Sequence, residues 1–378
     1  MDRQAPSRRG YLDWLRGVAV LIMIEAHTLD SWTRVADRSR AAFGWAMVIG
    51  GFGAPVFLFL AGLALTMAAG ARMRKGRSEA EAVALALRRG WQVFGLAFVF
   101  RLQSWLISGG APSLTLFKVD ILNVMGLSML AAALLWGLGR GRWSRALLLA
   151  GVAVATAMLT PIVRETTWLT ALPDAIESYL RPVAGRTTFT LFPWAGFLLA
   201  GGSVGLWLDA ARTERDERRV NLALAGLGAT LAAGGYAASL LPPLYDHTSF
   251  WTSSPTFFFL RLGILIAAVP VAYGWNTAAR PARRSESEGG SPLQDFGRAS
   301  LFVYWIHVEM VYGVISAAIH KQLPFDRAVL AFAVFSLLLF ALTKLVYSTK
   351  ITKFWKDTKD RLRHRVLRDL RGFRGSKS

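Results

Sequence analysis

The chain has 378 residues, of which 53% are hydrophobic, and its mean hydropathy is +0.37. This is more apolar than a soluble domain requires and predicts a protein that lies in lipid. The net charge of +20 does not indicate nucleic-acid binding, because Lys and Arg fall in short runs between apolar segments rather than in a basic domain. The absence of cysteine excludes disulfides, thiolate metal sites and a cysteine acyl carrier.

Apolar segments long enough to cross a bilayer predict an all-α, polytopic membrane helix bundle of about ten transmembrane helices. The predicted limits are 11–29, 44–69, 90–108, 120–138, 146–160, 190–209, 221–241, 256–275, 299–319 and 327–347. Gly50, Gly51, Gly53 and Pro55 predict that the second segment is either kinked or partly re-entrant. Residues 276–298 are typical of a flexible linker, and 161–189 of an outer loop that covers a site.

The positions of the cations predict the orientation of the bundle. Most of the 44 Lys and Arg residues lie in one alternate set of loops and in the two tails, which places both termini in the cytoplasm. We expect residues 1–348 to form the membrane domain, in a bacterial inner membrane. Residues 349–378 are basic and carry apolar side chains on one helical face, which predicts an amphipathic tail on the anionic inner leaflet.

Two ionisable residues on the first predicted helix are the strongest functional signal. Arg16 and His27 are eleven residues apart, so they share a helix face to within roughly 20° and are separated by roughly 16 Å. Ionisable groups at membrane depth usually line a polar path. We therefore expect Arg16 near one membrane surface and His27 near the other, on one wall of an acyltransferase channel.

Each of these residues has a chemical role in that hypothesis. The His27 imidazole would act as the catalytic base that removes a proton from the acceptor, and the Arg16 guanidinium would bind the phosphates of CoA. Asp13, one turn before Arg16, would orient it through an i,i+3 pair. The plain alternatives are that Arg16 is a membrane anchor and that His27 is a satisfied interfacial histidine.

Several further residues are candidates for the same site. Glu25 is a second catalytic candidate, but it points about 200° away from His27, and an ion pair with Arg101 is an alternative role. Arg101, Tyr304 and His307 are candidates for binding the acyl-CoA cofactor; His307 could equally hydrogen-bond within the bundle. His247 and His320 are rival bases in outer loops. No cluster has the spacing of a metal site.

Five short motifs, in order along the chain, resemble a known family. They are LDWLRG at 12–17 followed by His27, GAPVFLFLAG at 53–62, DILNVMGLS at 120–128, FPWAG at 192–196 and LFVYWIH at 301–307. The first resembles the opening of acyltransferase family three. The set is similar to its relative, the heparan-alpha-glucosaminide N-acetyltransferase catalytic-domain family.

The resemblance implies transfer of an acyl group, usually acetyl, from cytoplasmic acetyl-CoA to an extracytoplasmic glycan or other small acceptor. Direct transfer and an acyl-histidine intermediate both stay open. The expected partners are acyl-CoA, that acceptor and membrane lipid, without nucleic acid; a homo-oligomer is left open. The main alternative is a secondary transporter whose buried ionisable residues couple to protons, and a third is a non-catalytic scaffold.

Overall fold

The structure is a computed structural model that describes residues 9–107, 112–278 and 291–346. Every regular element in these ranges is helical, and the pairing of extended backbone is limited to two isolated bridges, Thr33 with Leu323 and Val119 with Thr187. The predicted all-α class is therefore confirmed. The basic tail predicted at 349–378 lies outside the described residues.

Thirteen α-helices follow one another along the described part of the chain. They are α1 (Gly10–Trp32), α2 (Ala41–Gly50), α3 (Gly53–Arg74), α4 (Glu79–Ile107), α5 (Ile121–Leu138), α6 (Arg142–Glu165), α7 (Asp174–Leu180), α8 (Leu191–Ala210), α9 (Glu214–Ser239), α10 (Pro255–Ala278), α11 (Pro292–Arg298), α12 (Ser300–Tyr312) and α13 (Phe325–Val346). Short 3-10 turns lie in the connections, at Val35–Asp37, Ser113–Phe117, Trp168–Ala171 and Val314–Ile319.

Eight helices in the described ranges are long and apolar enough to cross a membrane, with α2 and α3 counted as one unit. The predicted spans at α1 and α12 do not belong to this set. Helix α1 carries the charged residues Asp13, Arg16 and Glu25 along its length, and α12 is too short, with only 13 residues. The number ten stays a prediction.

The second predicted span is broken where its glycines predicted a kink. α2 ends at Gly50, Gly51 and Phe52 form a turn, and α3 begins at Gly53. Gly50 packs against α1, since a Cβ added there would lie 2.7 Å from the Cβ of Ala26. The break therefore lies beside the end of α1 that carries His27.

Small residues allow the helices at the centre of the bundle to pack closely. A Cβ added at Gly62 of α3 would lie 1.8 Å from the Leu198 carbonyl oxygen of α8, and one added at Gly201 would lie 1.9 Å from that of Phe59. Glycine lets two backbones meet where no other residue fits, which is the usual packing of membrane helices. The fully buried side chains of Phe59 and Leu63 complete this core.

A second core joins the two ends of the chain. Val20, Met23 and Ile24 of α1 pack with buried residues of the C-terminal helices, which are Phe296, Val303, Phe335 and Leu339. This cluster fixes α11, α12 and α13 against α1. It explains how residues near position 300 reach a site that begins at position 16.

The prediction of a flexible linker at 276–298 is wrong for both ends of this range that the structure describes. α10 continues to Ala278, and α11 begins at Pro292 after a capping box in which Ser291 and Gln294 each bond the other's backbone N–H. A capping box followed by proline at the first helical position favours a helix start. Residues 279–290 lie outside the described ranges. The outer loop predicted at 161–189 contains α7.

Candidate active site

One large cavity, with a volume of about 1270 Å³, runs between helices α1, α3, α4, α5 and α12. Arg16 and His27 both line it. The shared face predicted from helical geometry is therefore present, and neither side chain is turned to the outside of the bundle. We call its two regions the Arg16 end and the His27 end.

Arginines gather at the Arg16 end. Besides Arg16, the cavity is lined there by Arg72 at the end of α3, Arg88 and Arg89 of α4, and Arg298 at the end of α11. Within the described ranges Arg72, Arg88 and Arg89 form no ion pair with an acidic side chain. Several uncompensated guanidinium groups at one cavity mouth favour a ligand with several negative charges.

Asp13 holds two members of this group. Its carboxylate lies 3.2 Å from Arg16 Nη1 and 3.7 Å from Arg298 Nε, and its side chain is 7% exposed. The predicted i,i+3 pair between Asp13 and Arg16 is thus confirmed. The contact with Arg298 exists because α11 lies against α1 without intervening side chains: a Cβ at Gly297 would fall 1.9 Å from the Asp13 carbonyl oxygen.

A pair of histidines marks the other end of the cavity. The Nδ1 atom of His27 lies 2.8 Å from the Nε2 atom of His307, and the two ring planes are nearly parallel, with an interplanar angle of 8° and centroids 5.0 Å apart. The ring of Tyr312 meets His27 edge-on at a centroid distance of 5.6 Å. His307 is fully buried behind His27 and does not line the cavity, whereas Tyr304 does.

An ion pair lies near the histidines. Arg101 Nη2 is 2.7 Å from Asp120 Oδ2, and both side chains are 18% exposed and line the cavity. Asp120 is also the N-cap of α5, in a capping box with Asn123. Arg101 is thirteen residues after Arg88, which separates it by roughly 20 Å along α4 from the arginines of the opposite end.

Two aromatic side chains complete the His27 end, one from the connection before α8 and one from the start of α8. Phe189 and Trp194 line the cavity and meet edge-to-face with ring centroids 4.8 Å apart. The hydroxyl of Tyr179, in α7, accepts a hydrogen bond from the Asn123 amide at 3.3 Å. Burial raises the pKa of the Tyr179 phenol, so it is a neutral group at working pH.

Between the two ends the wall formed by α3 is apolar, and four of the residues that line it are alanines. The face of α3 that lines the cavity carries Ala54, Phe57, Ala61, Ala64 and Ala68. These positions recur at the three- and four-residue spacing of one helical face. They make an apolar track from the broken segment beside His27 toward Arg72.

Comparison with known families gives one match. The family model for the catalytic region of heparan-alpha-glucosaminide N-acetyltransferase matches residues 8–241, more than half of the chain. The chain belongs to this family. Of the five motifs from which the resemblance was predicted, those at 12–17, 53–62, 120–128 and 192–196 fall inside the match, and the one at 301–307 lies outside it. A comparison with curated proteins found no match.

Membership of the heparan-alpha-glucosaminide N-acetyltransferase catalytic family makes the chain a membrane-integrated, multi-pass transferase of the acyltransferase class. The matched region contains Arg16, His27, Arg101 and Asp120. It ends before α10. His307, which contacts His27, and Arg298, the second arginine that contacts Asp13, are therefore supplied by the C-terminal part of the chain.

The residues predicted for the site are partly brought together. The expected ion pair between Glu25 and Arg101 is wrong, because Arg101 binds Asp120 on the adjacent helix. Glu25 is not among the residues that line the cavity; its Oε2 atom is buried and has no hydrogen-bond partner in the described part of the chain. No group of three His, Asp or Glu in that part is placed to hold a metal ion.

Sequence reasoning missed most of the arginine cluster and Asp120. In the sequence, Arg72, Arg88, Arg89 and Arg298 count only as orientation signals. Asp120 opens one of the family motifs and precedes an apolar segment with Asn123 three residues later, which is the signal of an N-cap.

Proposed function

We propose that the protein transfers an acetyl group from acetyl-CoA, bound at the Arg16 end, to an acceptor that enters at the His27 end. The observation that carries this proposal is the single cavity that connects Arg16 to His27. A donor bound on one side can then meet an acceptor from the other without either molecule crossing the bundle.

The donor fits the Arg16 end by charge. CoA carries a diphosphate and a ribose phosphate, and planar guanidinium groups bind phosphate oxygens through paired hydrogen bonds. Asp13 supports the binding by fixing the directions of Arg16 and Arg298. Arg72, Arg88 and Arg89 supply the further charge that a multiply phosphorylated ligand requires.

The pantetheine arm fits the apolar track. Ala61, Ala64 and Ala68 leave room for a thin, flexible chain along α3. The rise of α1 between Arg16 and His27 is roughly 16 Å, which suits an extended arm that runs from the phosphates to the thioester. The acetyl group would then lie beside His27, Phe57 and Tyr304.

His27 is the base in this reaction. The imidazole takes the proton from an acceptor hydroxyl or amine as its oxygen or nitrogen attacks the acetyl carbonyl carbon. The carbon–sulfur bond of the thioester breaks, the CoA thiolate leaves, and the proton held by His27 passes to the sulfur. Direct transfer needs no acyl-enzyme, which agrees with a chain that has no cysteine.

The acceptor is a sugar or amino sugar in this proposal. The family is described by its action on a glucosaminide. Trp194 and Phe189 offer ring faces against which a sugar can stack, and Asp120 and Lys118 offer hydrogen-bonding groups on the same cavity wall. The site could form either an O-acetyl or an N-acetyl product.

The distribution of the cations supports a proposed topology. We infer that α1 and α12 cross the bilayer in addition to the eight apolar helices, and that both termini lie in the cytoplasm. The Arg16 end then opens to the cytoplasm, where acetyl-CoA is available, and the His27 end faces away from it. Of the charged groups on α1, Arg16 faces the cavity and Asp13 pairs with it, an arrangement that makes these charges tolerable at membrane depth.

The experiment is an acetyl-transfer assay with the purified protein in liposomes. Radiolabelled acetyl-CoA is supplied on one side and a panel of hexosamines and hexoses on the other, and labelled acetyl-sugar is measured. The proposal expects saturable transfer that His27→Ala abolishes. If labelled acetyl stays on the protein when no acceptor is present, the reaction proceeds through an acyl-histidine intermediate and not by direct transfer. Proton-coupled sugar uptake without acetyl-CoA binding would show that the protein is a transporter and not an enzyme.

A further inference from the structure

We propose that His307 is a positioning residue that fixes the tautomer of His27, so that the Nε2 atom of His27 is the one that accepts the proton. This inference rests on the proposed role of His27 as base. The observation behind it is the 2.8 Å contact between His27 Nδ1 and His307 Nε2. Two facing ring nitrogens can bond only when one of them carries a hydrogen and the other does not.

The tautomer of His307 is set by its own helix. Its Nδ1 atom lies 2.9 Å from the carbonyl oxygen of Val303, one turn earlier in α12. A carbonyl only accepts hydrogen bonds, so Nδ1 of His307 must carry the hydrogen. A neutral imidazole has a single N–H, and its Nε2 atom is therefore left as an acceptor.

The state of His27 follows from that of His307. Since His307 Nε2 accepts, His27 Nδ1 must donate, and the Nε2 atom of His27 keeps a free lone pair. The second hydrogen bond of a histidine commonly decides which ring nitrogen is free to react. Here the chain of bonds runs from the Val303 carbonyl through His307 to His27, whose side chain lines the cavity.

The pair works this way only while His307 is neutral. A cationic His307 would donate hydrogen bonds from both ring nitrogens. The Nδ1 atom of His27 would then have to accept, and its Nε2 atom would carry the hydrogen and could not take a proton from the substrate. His307 is 0% exposed and, in the described ranges, forms no ion pair with a carboxylate, so a charge there would be buried without compensation. The site thus favours the arrangement that leaves His27 Nε2 free.

His307 acts on the reaction through His27 alone. It is absent from the residues that line the cavity, so it contacts neither donor nor acceptor. The ring of Tyr304 lies beside it at a centroid distance of 5.9 Å, and Tyr312 holds His27 from another direction. His27 is therefore held between a hydrogen-bonding ring and an edge-on ring, which leaves it one orientation.

Two substitutions of His307 separate the hydrogen bond from the packing. In His307→Phe a ring is retained but the acceptor is lost, whereas His307→Gln retains an acceptor oxygen for the His27 Nδ1–H. We expect His307→Phe to lower kcat on the order of 10²-fold, because a positioned base contributes about 10²–10⁴-fold and an unanchored one keeps part of that. The KM and Kd for acetyl-CoA should stay within about threefold, and His307→Gln should recover about tenfold of the lost kcat.

The control lies one turn further along α12. Val311 is fully buried and its side chain forms no hydrogen bond, so Val311→Ala disturbs packing alone. We expect it to keep kcat within about threefold of the wild-type value. A loss in Val311→Ala as large as that in His307→Phe would assign the effect to the fold of α12 and overturn the positioning role.

A spectroscopic measurement tests the tautomer without relying on activity. The chain has five histidines, so 15N-labelled imidazoles can be assigned by comparison with the His27→Ala and His307→Gln variants. The proposal expects His27 as the Nδ1–H tautomer in the wild type and loss of that state in His307→Phe. His27 observed as the Nε2–H tautomer in the wild type would overturn it. Absence of acetyl transfer by the wild type would instead refute the proposed function, whatever the tautomer.

Discussion

Gly17 of α1 lies directly against Leu293 of α11: a Cβ added at Gly17 would fall 1.8 Å from the Leu293 carbonyl oxygen. The same contact continues at Gly297, which meets the backbone of Asp13. This backbone contact brings Arg298 to the Asp13 carboxylate and therefore helps to assemble the arginine cluster at the Arg16 end. It also explains why the motif at 12–17 ends in glycine.

We predict that Gly17→Ala separates α1 from α11. Overpacking of a close backbone contact costs about 1–3 kcal/mol, which should appear as a lower Tm in detergent and a weaker Kd for acetyl-CoA. Gly44→Ala is the matched control, because a Cβ at that helical position meets nothing within 4 Å. Equal Tm values for the two variants would contradict the contact.

We predict a similar contrast within α10. A Cβ at Gly263 would lie 2.3 Å from the Ala232 nitrogen of α9, whereas one at Gly274 meets nothing within 4 Å. Gly263→Ala should destabilise the bundle by about 1–3 kcal/mol. Gly274→Ala should have no effect or raise the Tm, since alanine favours a helix over glycine by about 1 kcal/mol. Thermal unfolding followed by tryptophan fluorescence distinguishes the two.

Asp120→Asn should affect the acceptor rather than the donor. Asparagine caps a helix as well as aspartate, so α5 keeps its start, but the charge that orients Arg101 is lost. We expect the KM for the acceptor to rise on the order of tenfold, the equivalent of 1.4 kcal/mol, with the Kd for acetyl-CoA unchanged. Asp174→Asn, which removes a solvent-exposed ion pair with Arg186, is the control. A change in donor affinity would show that Asp120 belongs to the donor site.

Asp37 gives a pH-dependent prediction outside the membrane. Hydrogen bonds from Arg34 and from the Phe325 backbone N–H lower the pKa of the Asp37 carboxyl below its ordinary value. A carboxylate with a lowered pKa stabilises the fold at neutral pH, and this contribution is lost as the pH falls below about 4. Asp37→Asn should therefore have a lower Tm than the wild type at pH 7. The difference should shrink below about pH 4; a constant difference would contradict the assignment.

Local geometry made part of the site predictable. The relation of Arg16 to His27 and the pair of Asp13 with Arg16 depend only on the rise and twist of one helix, so the sequence is sufficient for both. The break between α2 and α3 at Gly51 was predictable for the same reason, because it depends on the local run of glycines. The start of α11 was open to prediction too, since Ser291, Pro292 and Gln294 form a recognisable cap.

Contacts between distant segments were beyond local reasoning. His27 and His307 are 280 residues apart, and no spacing rule relates two helices that meet only in the folded bundle. The pairing of Glu25 with Arg101 failed for the same reason: membrane depth alone does not say which helices are neighbours. Arg101 instead finds Asp120 because α4 and α5 pack directly against each other.

The most direct test of the account is a calorimetric titration of the purified protein with acetyl-CoA, comparing wild type, Arg16→Ala and His27→Ala. Loss of a charge-assisted hydrogen bond costs about 1.5–3 kcal/mol, so Arg16→Ala should weaken the Kd on the order of 10- to 100-fold. Arg142→Ala, an exposed cation outside the cavity lining, controls for overall charge and should bind as the wild type does. His27→Ala should keep the wild-type Kd while losing turnover. Wild-type affinity in Arg16→Ala, or wild-type turnover in His27→Ala, would contradict a donor path that runs from Arg16 to His27.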